Sequence, residues 1–537
     1  MKTGNNFFIK RGSFCFIIPF FTNVLEKYED FFSEYQNQLK TLEYLSLSPQ
    51  GQKKKRKKII NILKSKFVFH LKQSGFPNAQ TNFCPDSCIY KSENYQGKYL
   101  CTCFSTAAKF HDDISQTDAT AQFFLDHYQV KYQKDEYQIE FEFDIFLYIN
   151  QKEEEKIGYI VIEIDLNNRH PEDLIFIKHL FYKRTLPVTL YKKEGTLIHK
   201  EADHTNMQKW ILKYLSQIGK VFTTDYEKSF PPYIKNGAFR YSLIELQEIS
   251  RSATGKPLDL DFNELERIQD EYGHLIYGML LSDEGWRHIP QKVIKKRLES
   301  HWFTRTYICS FFLNTNGLIF NLKHTTKGRE YAKNGKDWFK KYVDHNNSKE
   351  SKYEKYVTMD SCITGIDGLI LFAFLKCIAK QIHIENNNEI ITLPKNQSIR
   401  SSVKQIYKLQ KNLDHFAKIL NSPSFKLGEI ESMEYIIHAQ FGIIGQIQQI
   451  KEIYQSQSNN LHFQYEKLTN KVIKRLTIYT VMIGAIQLFW AVGASPVGDS
   501  IRTTLGQYII LKDLIFYIVI IVLLLWILFL MVKYIGK

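Results

Sequence analysis

Residues 137–166 read YQIEFEFDIFLYINQKEEEKIGYIVIEIDL, and this segment is the strongest indication of β-structure in the chain. In its first half, apolar residues alternate with polar ones, so that Phe141, Phe143 and Ile145 share one face of a strand. The polar stretch QKEEEK then leads into a second apolar run. The pattern predicts a long antiparallel β-hairpin.

Further strands and helices are expected on both sides of this hairpin. Residues 14–21 predict a buried strand rather than an export signal, because the run is short, contains Pro19 and lacks a small-residue cleavage site. Residues 301–324 predict a second hairpin. Helices are predicted near residues 171–182, 204–218, 263–281 and 365–382. The sequence therefore predicts an α+β domain, with a mixed or antiparallel sheet and helices packed on it.

Composition limits the class of protein and of partner. The chain has 537 residues, of which 44% are hydrophobic and 24% charged, so general disorder is excluded. Lys and Arg exceed Asp and Glu by 71 to 56, which gives a net charge of +15. This excess favours an anionic partner such as a nucleotide, a nucleic acid or a lipid headgroup.

The C-terminal region has the composition of a membrane anchor. Residues 514–532 read LIFYIVIIVLLLWILFLMV, a run of 19 residues without a charge that could cross a hydrocarbon core of about 30 Å. Residues 476–492 read LTIYTVMIGAIQLFWAV and predict a first crossing, the alternative being a buried soluble helix. Lys and Arg precede the first segment and Lys follows the second, which predicts an inner-membrane protein with both termini in the cytoplasm.

Helical sequence precedes the first of these segments. From residue 427 to 492 no proline occurs, and apolar residues recur every three or four positions, which predicts one uninterrupted helix. The predicted organisation is a cytosolic α+β sensor domain over 1–395, a helical stalk over 396–475, transmembrane helices over 476–492 and 513–533, an external loop over 493–512 and a cytosolic tail over 534–537.

Small and polar residues form a stripe along the predicted first span. Its members share helical spacing and are Asn470, Thr477, Thr480, Gly484, Gln487 and Ala491, with Ile473 one heptad before Thr480. We predict that they line a water-filled pore of a symmetric oligomer, with Ile473 as an apolar collar and Leu488 on the opposite, lipid-facing side. Simple helix–helix contact is the alternative interpretation.

This order of segments resembles the CorA family of pentameric metal-ion channels. The resemblance is closest over residues 397–537 and implies a homopentamer in the membrane. The family's Gly-Met-Asn motif at the outer end of the first span is absent, since the chain reads Val-Gly-Ala-Ser-Pro from residue 492. Only Gly493 could correspond to it, and Asp499 is the nearest acidic residue at the external mouth. Selective Mg²⁺ transport is therefore not expected from the motif.

The enlarged N-terminal domain is more similar to the CorA-like proteins of type III CRISPR antiviral defence. That resemblance implies a membrane effector opened by a nucleotide second messenger, either S-adenosylmethionine–AMP or a cyclic oligoadenylate, bound by the cytosolic domain. The alternative is a constitutive or metal-gated transporter of Mg²⁺ or Zn²⁺. The sequence does not locate the ligand pocket, because Phe, Tyr, Lys and Arg occur throughout it.

Metal and enzyme motifs are weaker. Cys84, Cys88, Cys101 and Cys103 could form a tetrahedral Zn²⁺ site, although their spacing is unusual and reduced cysteines in a surface hairpin are the alternative. No phosphate-binding loop, dinucleotide fingerprint or H-E-x-x-H motif occurs, so an enzyme is not expected. The basic run at residues 53–58 is interpreted as a solvated helix start or loop, contact with phosphates being the alternative, and no stable nucleic-acid partner is predicted.

Overall fold

A computed structural model gives the fold of the chain. It describes residues 7–21, 65–81, 120–134, 137–150, 157–183, 186–194, 197–222, 239–256, 265–282, 284–299, 302–304, 308–321, 359–388 and 428–493, together with single positions within 230–258, 404–414 and 518–529. The chain forms two compact units. One comprises Met1–Ile390 with Phe416–Ile447, and the other comprises Ile391–His415 with Gln448–Lys537.

An eleven-stranded sheet forms the centre of the first unit. Its strands are β1 (Phe8–Phe21), β2 (Gln80–Thr81), β3 (Thr120–Lys134), β4 (Tyr137–Asn150), β5 (Ile157–Asp165), β6 (Pro187–Glu194), β7 (Leu197–Asn206), β8 (Tyr241–Ser250), β9 (Trp302–Thr304), β10 (Ile308–Leu313) and β11 (Asn316–Asn321). They lie in the order β7-β6-β3-β4-β5-β1-β8-β11-β10-β9, with β2 beside β3. Among these described strands, β8 and β11 are parallel and the other neighbours are antiparallel. The predicted mixed sheet is present.

The two predicted hairpins and the N-terminal strand are found in the structure. β4 and β5 pair antiparallel, with Phe143 opposite Ile164, as the alternation in residues 137–166 predicts. The run 14–21 lies in β1, whose buried Phe14 and Phe16 contact the core. β10 and β11 form the second hairpin, which turns through Asn314 with a φ of 53°.

Among the described residues, seven α-helices with defined bounds accompany the sheet, residues 65–73 are helical as well, and Glu284–His288 form a 3-10 helix. The seven are α1 (Pro171–Tyr182), α2 (Met207–Phe222), α3 (Leu265–Leu281), α4 (Gln291–Glu299), α5 (Met359–Asn388), α6 (Gly428–Gln440) and α7 (Ile443–Gly493). The predicted bounds of α1 are correct. α2 begins later than predicted because residues 204–206 pair with β6, and the side chain of Asn206 then accepts a hydrogen bond from the Lys209 backbone N–H.

Helices pack on both faces of the sheet. On one face, Phe16 of β1 contacts Phe181 of α1, with ring centroids 4.9 Å apart. On the other face, the Tyr159 hydroxyl donates to the carbonyl of Leu375 in α5 at 2.7 Å. Tyr241 lies on that second side too, with its ring 5.7 Å from the ring of Phe441. The first unit therefore has three layers, with the apolar core divided between the two faces.

The predicted C-terminal architecture requires two corrections. The helix expected to run unbroken from residue 427 is divided into α6 and α7 at Gly442, where φ is 70° and a helical conformation is interrupted. The prediction of two C-terminal transmembrane helices is wrong for the described chain, because no helix in it is both long and apolar enough to cross a membrane. α7 contains residues 476–492 and carries its charged side chains before residue 476. Residues 514–532 lie outside the described residues, apart from six positions.

Candidate functional site

The predicted pore-lining residues all lie on α7. Every member of the stripe, Asn470, Ile473, Thr477, Thr480, Gly484, Gln487 and Ala491, is exposed. Ile478 and Met482, on the opposite side, are partly buried. Leu488 is 68% exposed and follows Gly484 by one turn, so its assignment to the opposite side is wrong. The pore-lining role of the stripe stays a prediction.

Hydrogen bonds within α7 satisfy the two threonines of the stripe. Thr477 Oγ1 donates to the carbonyl of Ile473, and Thr480 Oγ1 donates to that of Leu476, both at 2.9 Å. A hydroxyl bonded to the carbonyl four residues earlier needs no further partner, so these threonines can lie against apolar or aqueous surroundings alike. Gly493 is the last residue of α7. Asp499 and the cysteines at 84, 88, 101 and 103 lie outside the described residues.

A cavity of about 500 Å³ lies at one edge of the sheet, and we call it the edge pocket. Its lining comes from β3, β4, β6, β7 and the first turn of α2 and comprises Lys131, Gln133, Gln138, Pro187, Val188, Thr189, Tyr191, His204, Thr205, Asn206 and Lys209. Its volume is within the range of small-molecule sites. Most of the lining side chains are polar, and two of them are lysines.

Strand register places the central residues of the edge pocket in one row. Lys131 of β3 lies opposite Thr189 of β6, and Thr189 lies opposite His204 of β7. Because directly opposed residues project from the same face of a sheet, the three side chains adjoin one another. The Thr189 hydroxyl and His204 Nδ1 are 3.2 Å apart, and the direction of that hydrogen bond depends on the histidine tautomer.

Charge and an aromatic ring converge in the edge pocket. Lys131 Nζ lies 5.8 Å from the ring centroid of Tyr191 and 3.3 Å from Glu140 Oε2. Lys209 is exposed in the first turn of α2, where backbone N–H groups give the helix end a partial positive charge. The pocket therefore offers the ring of Tyr191 for stacking and two ammonium groups for an anion, of which that of Lys131 would exchange Glu140 for the anion. This combination suits a ligand that contains a planar base and a phosphate.

A second polar cluster lies on neighbouring strands. His127 of β3 contacts Asp144 at 2.6 Å through Nδ1 and Glu142 at 3.2 Å through Nε2. Lys193 of β6 completes the cluster with an ion pair to Glu142 at 2.5 Å. Because each acidic group has a basic partner across the strands, the cluster is explained as a cross-strand ion-pair network.

A third cluster lies between α5 and α6. Cys377, Glu434 and His438 are buried, and their potential ligand atoms lie within 4.8 Å of one another. Burial raises the pKa of the Cys377 thiol, and the neighbouring Glu434 carboxylate raises it further. Burial, aided by the Lys380 charge, lowers the pKa of His438 to about 4, so its imidazole is neutral at neutral pH. Within the part of the chain that the structure describes, these three residues are the group suited to a metal ion.

Sequence reasoning identified neither the edge pocket nor the cluster between α5 and α6. The pocket depends on the register of three strands, and the cluster depends on the packing of two helices distant in sequence. One local signal was present: Asn206, a favourable helix-capping residue, marks the true start of α2 beside the pocket. No protein-family model, curated protein or solved structure matches the chain.

Proposed function

We propose that the chain is a ligand-gated, self-assembling membrane effector of the CorA-like kind. In this proposal the edge pocket binds an anionic nucleotide messenger, and α7 forms the helical assembly that acts at the membrane. The observation on which the proposal depends is the convergence of Tyr191, Lys131 and Lys209 in one cavity of about 500 Å³. Aromatic stacking with paired ammonium groups is a general mode of recognition for a base and its phosphate.

The ligand class follows from that chemistry and from the resemblance. S-adenosylmethionine–AMP and cyclic oligoadenylates both contain adenine and phosphate. The adenine could stack on the ring of Tyr191, and the phosphate could pair with Lys131 and Lys209. The hydroxyl of Thr189 and the ring of His204 add neutral hydrogen-bonding groups beside them. The net charge of +15 favours the approach of any anionic ligand.

Self-assembly is proposed from the exposed apolar side chains of α7. Leu468, Val472 and Leu476 lie along its middle, between 43% and 58% exposed in the single chain. α7 contains 51 residues and is therefore about 76 Å long. A helix of that length with an exposed apolar seam is stabilised by burying the seam against copies of itself, which is the arrangement of a coiled coil. The proposed assembly is a homo-oligomer, five by resemblance.

Membrane attachment is proposed at the inner membrane. Six described residues near the C-terminus are large, apolar and about half exposed or more: Ile518, Ile521, Val522, Leu525, Trp526 and Phe529. Their spacing by three and four places them on one side of a helix, as in segments that contact lipid. The proposal requires contact with the membrane and does not require residues 476–492 to cross it.

Ligand binding tests the proposal most directly. The full-length protein is titrated calorimetrically with S-adenosylmethionine–AMP and with cyclic oligoadenylates. Lys209→Glu should weaken binding of the active compound by about tenfold to 100-fold, because a charged hydrogen bond is lost. Lys213→Glu is the matched control, since Lys213 is exposed one turn further along α2 and pairs with Asp203 outside the pocket. Failure of every compound to bind, or equal weakening by both variants, would refute the proposed pocket.

Vesicle leakage tests the effector activity separately. The full-length protein is added to dye-filled vesicles of bacterial phospholipid composition, with and without the compound that binds. Dye release that requires the compound is the expected result. Release without any compound would instead favour the constitutive or metal-gated cation transporter that the sequence left open. Binding without release would retain the sensor and reject the membrane effector.

A further inference from the structure

The cluster between α5 and α6 has the composition and geometry of a metal site. Cys377 comes from α5, and Glu434 and His438 are spaced by four residues on one side of α6. We propose that these three side chains bind one Zn²⁺ ion, through Cys377 Sγ, a carboxylate oxygen of Glu434 and His438 Nε2. This site is separate from the edge pocket and does not depend on the proposed function.

The distances are close to those of a tetrahedral site. Zn²⁺ holds nitrogen at about 2.0 Å and oxygen at about 2.1 Å, which places two such ligand atoms roughly 3.4 Å apart. His438 Nε2 and Glu434 Oε1 are 3.7 Å apart. All three ligand atoms fall within 4.8 Å of one another, so side-chain adjustments of a few tenths of an ångström to about 1 Å would complete the geometry.

His438 provides an independent indication of a ligand. Its side chain is 8% exposed, and its Nε2 atom forms no hydrogen bond with any described residue. A buried polar atom without a hydrogen bond costs free energy, and such atoms are uncommon in folded proteins. An unprotonated imidazole nitrogen carries a lone pair, and coordination of a metal ion would satisfy it.

Lys380 of α5 forms an ion pair with Glu434 in the cluster between α5 and α6. Its Nζ atom lies 2.5 Å from Glu434 Oε1, so an ammonium group now neutralises the carboxylate. On binding, Zn²⁺ would compete with Lys380 for Glu434 Oε1, and the ammonium group would move to the other carboxylate oxygen. The Cys377 thiol would lose its proton to solvent, so that one proton is released. With the thiolate, the carboxylate and the Lys380 ammonium group, the ion would leave the cluster with one net positive charge.

The ligand set selects the kind of metal. Thiolate and imidazole are softer ligands than the oxygen donors that Mg²⁺ and Ca²⁺ require, so Zn²⁺ is favoured over either. Three protein ligands leave a fourth position for water. Bound Zn²⁺ would join α5 to α6, the helix that precedes Gly442 and α7 in the chain. The site would thus hold in place the segment that leads into α7.

Co²⁺ titration tests the site without relying on activity. The full-length protein with Cys84, Cys88, Cys101 and Cys103 replaced by Ser is stripped of metal and titrated with Co²⁺. We expect one equivalent to bind, with visible d–d bands of a tetrahedral ion and a near-ultraviolet thiolate-to-Co²⁺ charge-transfer band. Zn²⁺ should displace it and abolish both signals.

Matched variants assign the signal to these residues. Cys377→Ser should remove the charge-transfer band and His438→Gln should weaken binding, whereas Cys309→Ser, at another buried thiol, should change neither. Lys380→Met should tighten binding, because the competing ammonium group is removed. Circular dichroism establishes that each variant is folded. Absence of the band in the folded parent, or its persistence in Cys377→Ser, would overturn the proposal.

Discussion

The sheet of the first unit buries its large apolar side chains, whereas helix α7 exposes many of its own. Phe143 in β4 is 1% exposed and contacts both Tyr128 and Trp210, with its ring centroid 5.5 Å from each of theirs. Phe463 in α7 is 65% exposed. Because apolar burial supplies most of the free energy of folding, the first side chain stabilises the single chain and the second contributes little to it. The apolar residues of α7 are therefore available for contacts outside the chain.

The largest expected effect comes from truncating the same residue type in both regions. Phe143→Ala should lower the free energy of unfolding of the first unit by about 3 to 5 kcal/mol, because it leaves a cavity in a packed core. Phe463→Ala should change it by less than about 0.5 kcal/mol. Urea denaturation followed by tryptophan fluorescence measures both. Similar losses for the two variants would show that α7 is packed as tightly as the sheet.

Replacing a glycine by alanine in each region compares how closely other atoms pack against the backbone of the sheet and of α7. A methyl group added at Gly158 in β5 would overlap the ring of Phe20, so Gly158→Ala should destabilise the first unit by about 1 to 3 kcal/mol. A methyl group added at Gly484 in α7 meets no described atom within 4 Å, so Gly484→Ala should favour the helix by up to about 1 kcal/mol. Thermal melts measure both changes. Loss of assembly in Gly484→Ala would instead indicate close helix contact at that position.

A buried lysine in the first unit predicts pH dependence of stability. Lys178 of α1 is fully buried and donates to the carbonyls of Met279 and Leu280, and burial lowers its pKa well below the ordinary lysine value. At a pH between the lowered pKa of Lys178 in the folded chain and its ordinary pKa in the unfolded chain, only the unfolded chain binds the proton. The free energy of unfolding should therefore rise with pH by up to about 1.4 kcal/mol per pH unit. Lys178→Met should abolish that rise. Denaturation curves from neutral to alkaline pH measure the slope, and an unchanged slope in the variant would contradict the assignment.

The smallest effect is expected at the hydroxyls of α7. Thr480→Val removes a hydrogen bond to the carbonyl of Leu476 in the same helix and keeps the shape of the side chain. The free energy of unfolding should change by less than about 0.5 kcal/mol, because the position is exposed. Chemical denaturation of the assembled protein provides the measurement. A clearly larger loss there would mean that the hydroxyl contacts a neighbouring copy.

Local patterns predicted the individual elements well and their assembly poorly. The alternation in residues 137–166 and the proline that begins α1 act within a few residues, so the sequence was sufficient to place β4, β5 and α1. The position of β1 between β5 and β8 depends on pairing across long distances in sequence, for which no local pattern exists. The break at Gly442 was missed because an isolated glycine is tolerated within many helices.

The candidate sites were beyond prediction for the same reason. Lys131, Thr189 and His204 adjoin only because three strands pair in one register. Cys377 and His438 adjoin only because α5 packs against α6. Periodicity did predict that the stripe on α7 and the side of Ile478 and Met482 are distinct, since both belong to one helix.

The central position of β1 also has a consequence for biosynthesis. β1 is translated before both of its partners, β5 and β8, and Phe8 pairs with Ser250. At 5–20 residues per second, the ribosome needs roughly 12 to 50 s to supply the second partner. Until β8 has been synthesised, at least one edge of this apolar strand has no partner, which invites aggregation. Production of this protein should therefore depend on ribosome-associated chaperones, and slower translation beyond β1 should lower its soluble yield.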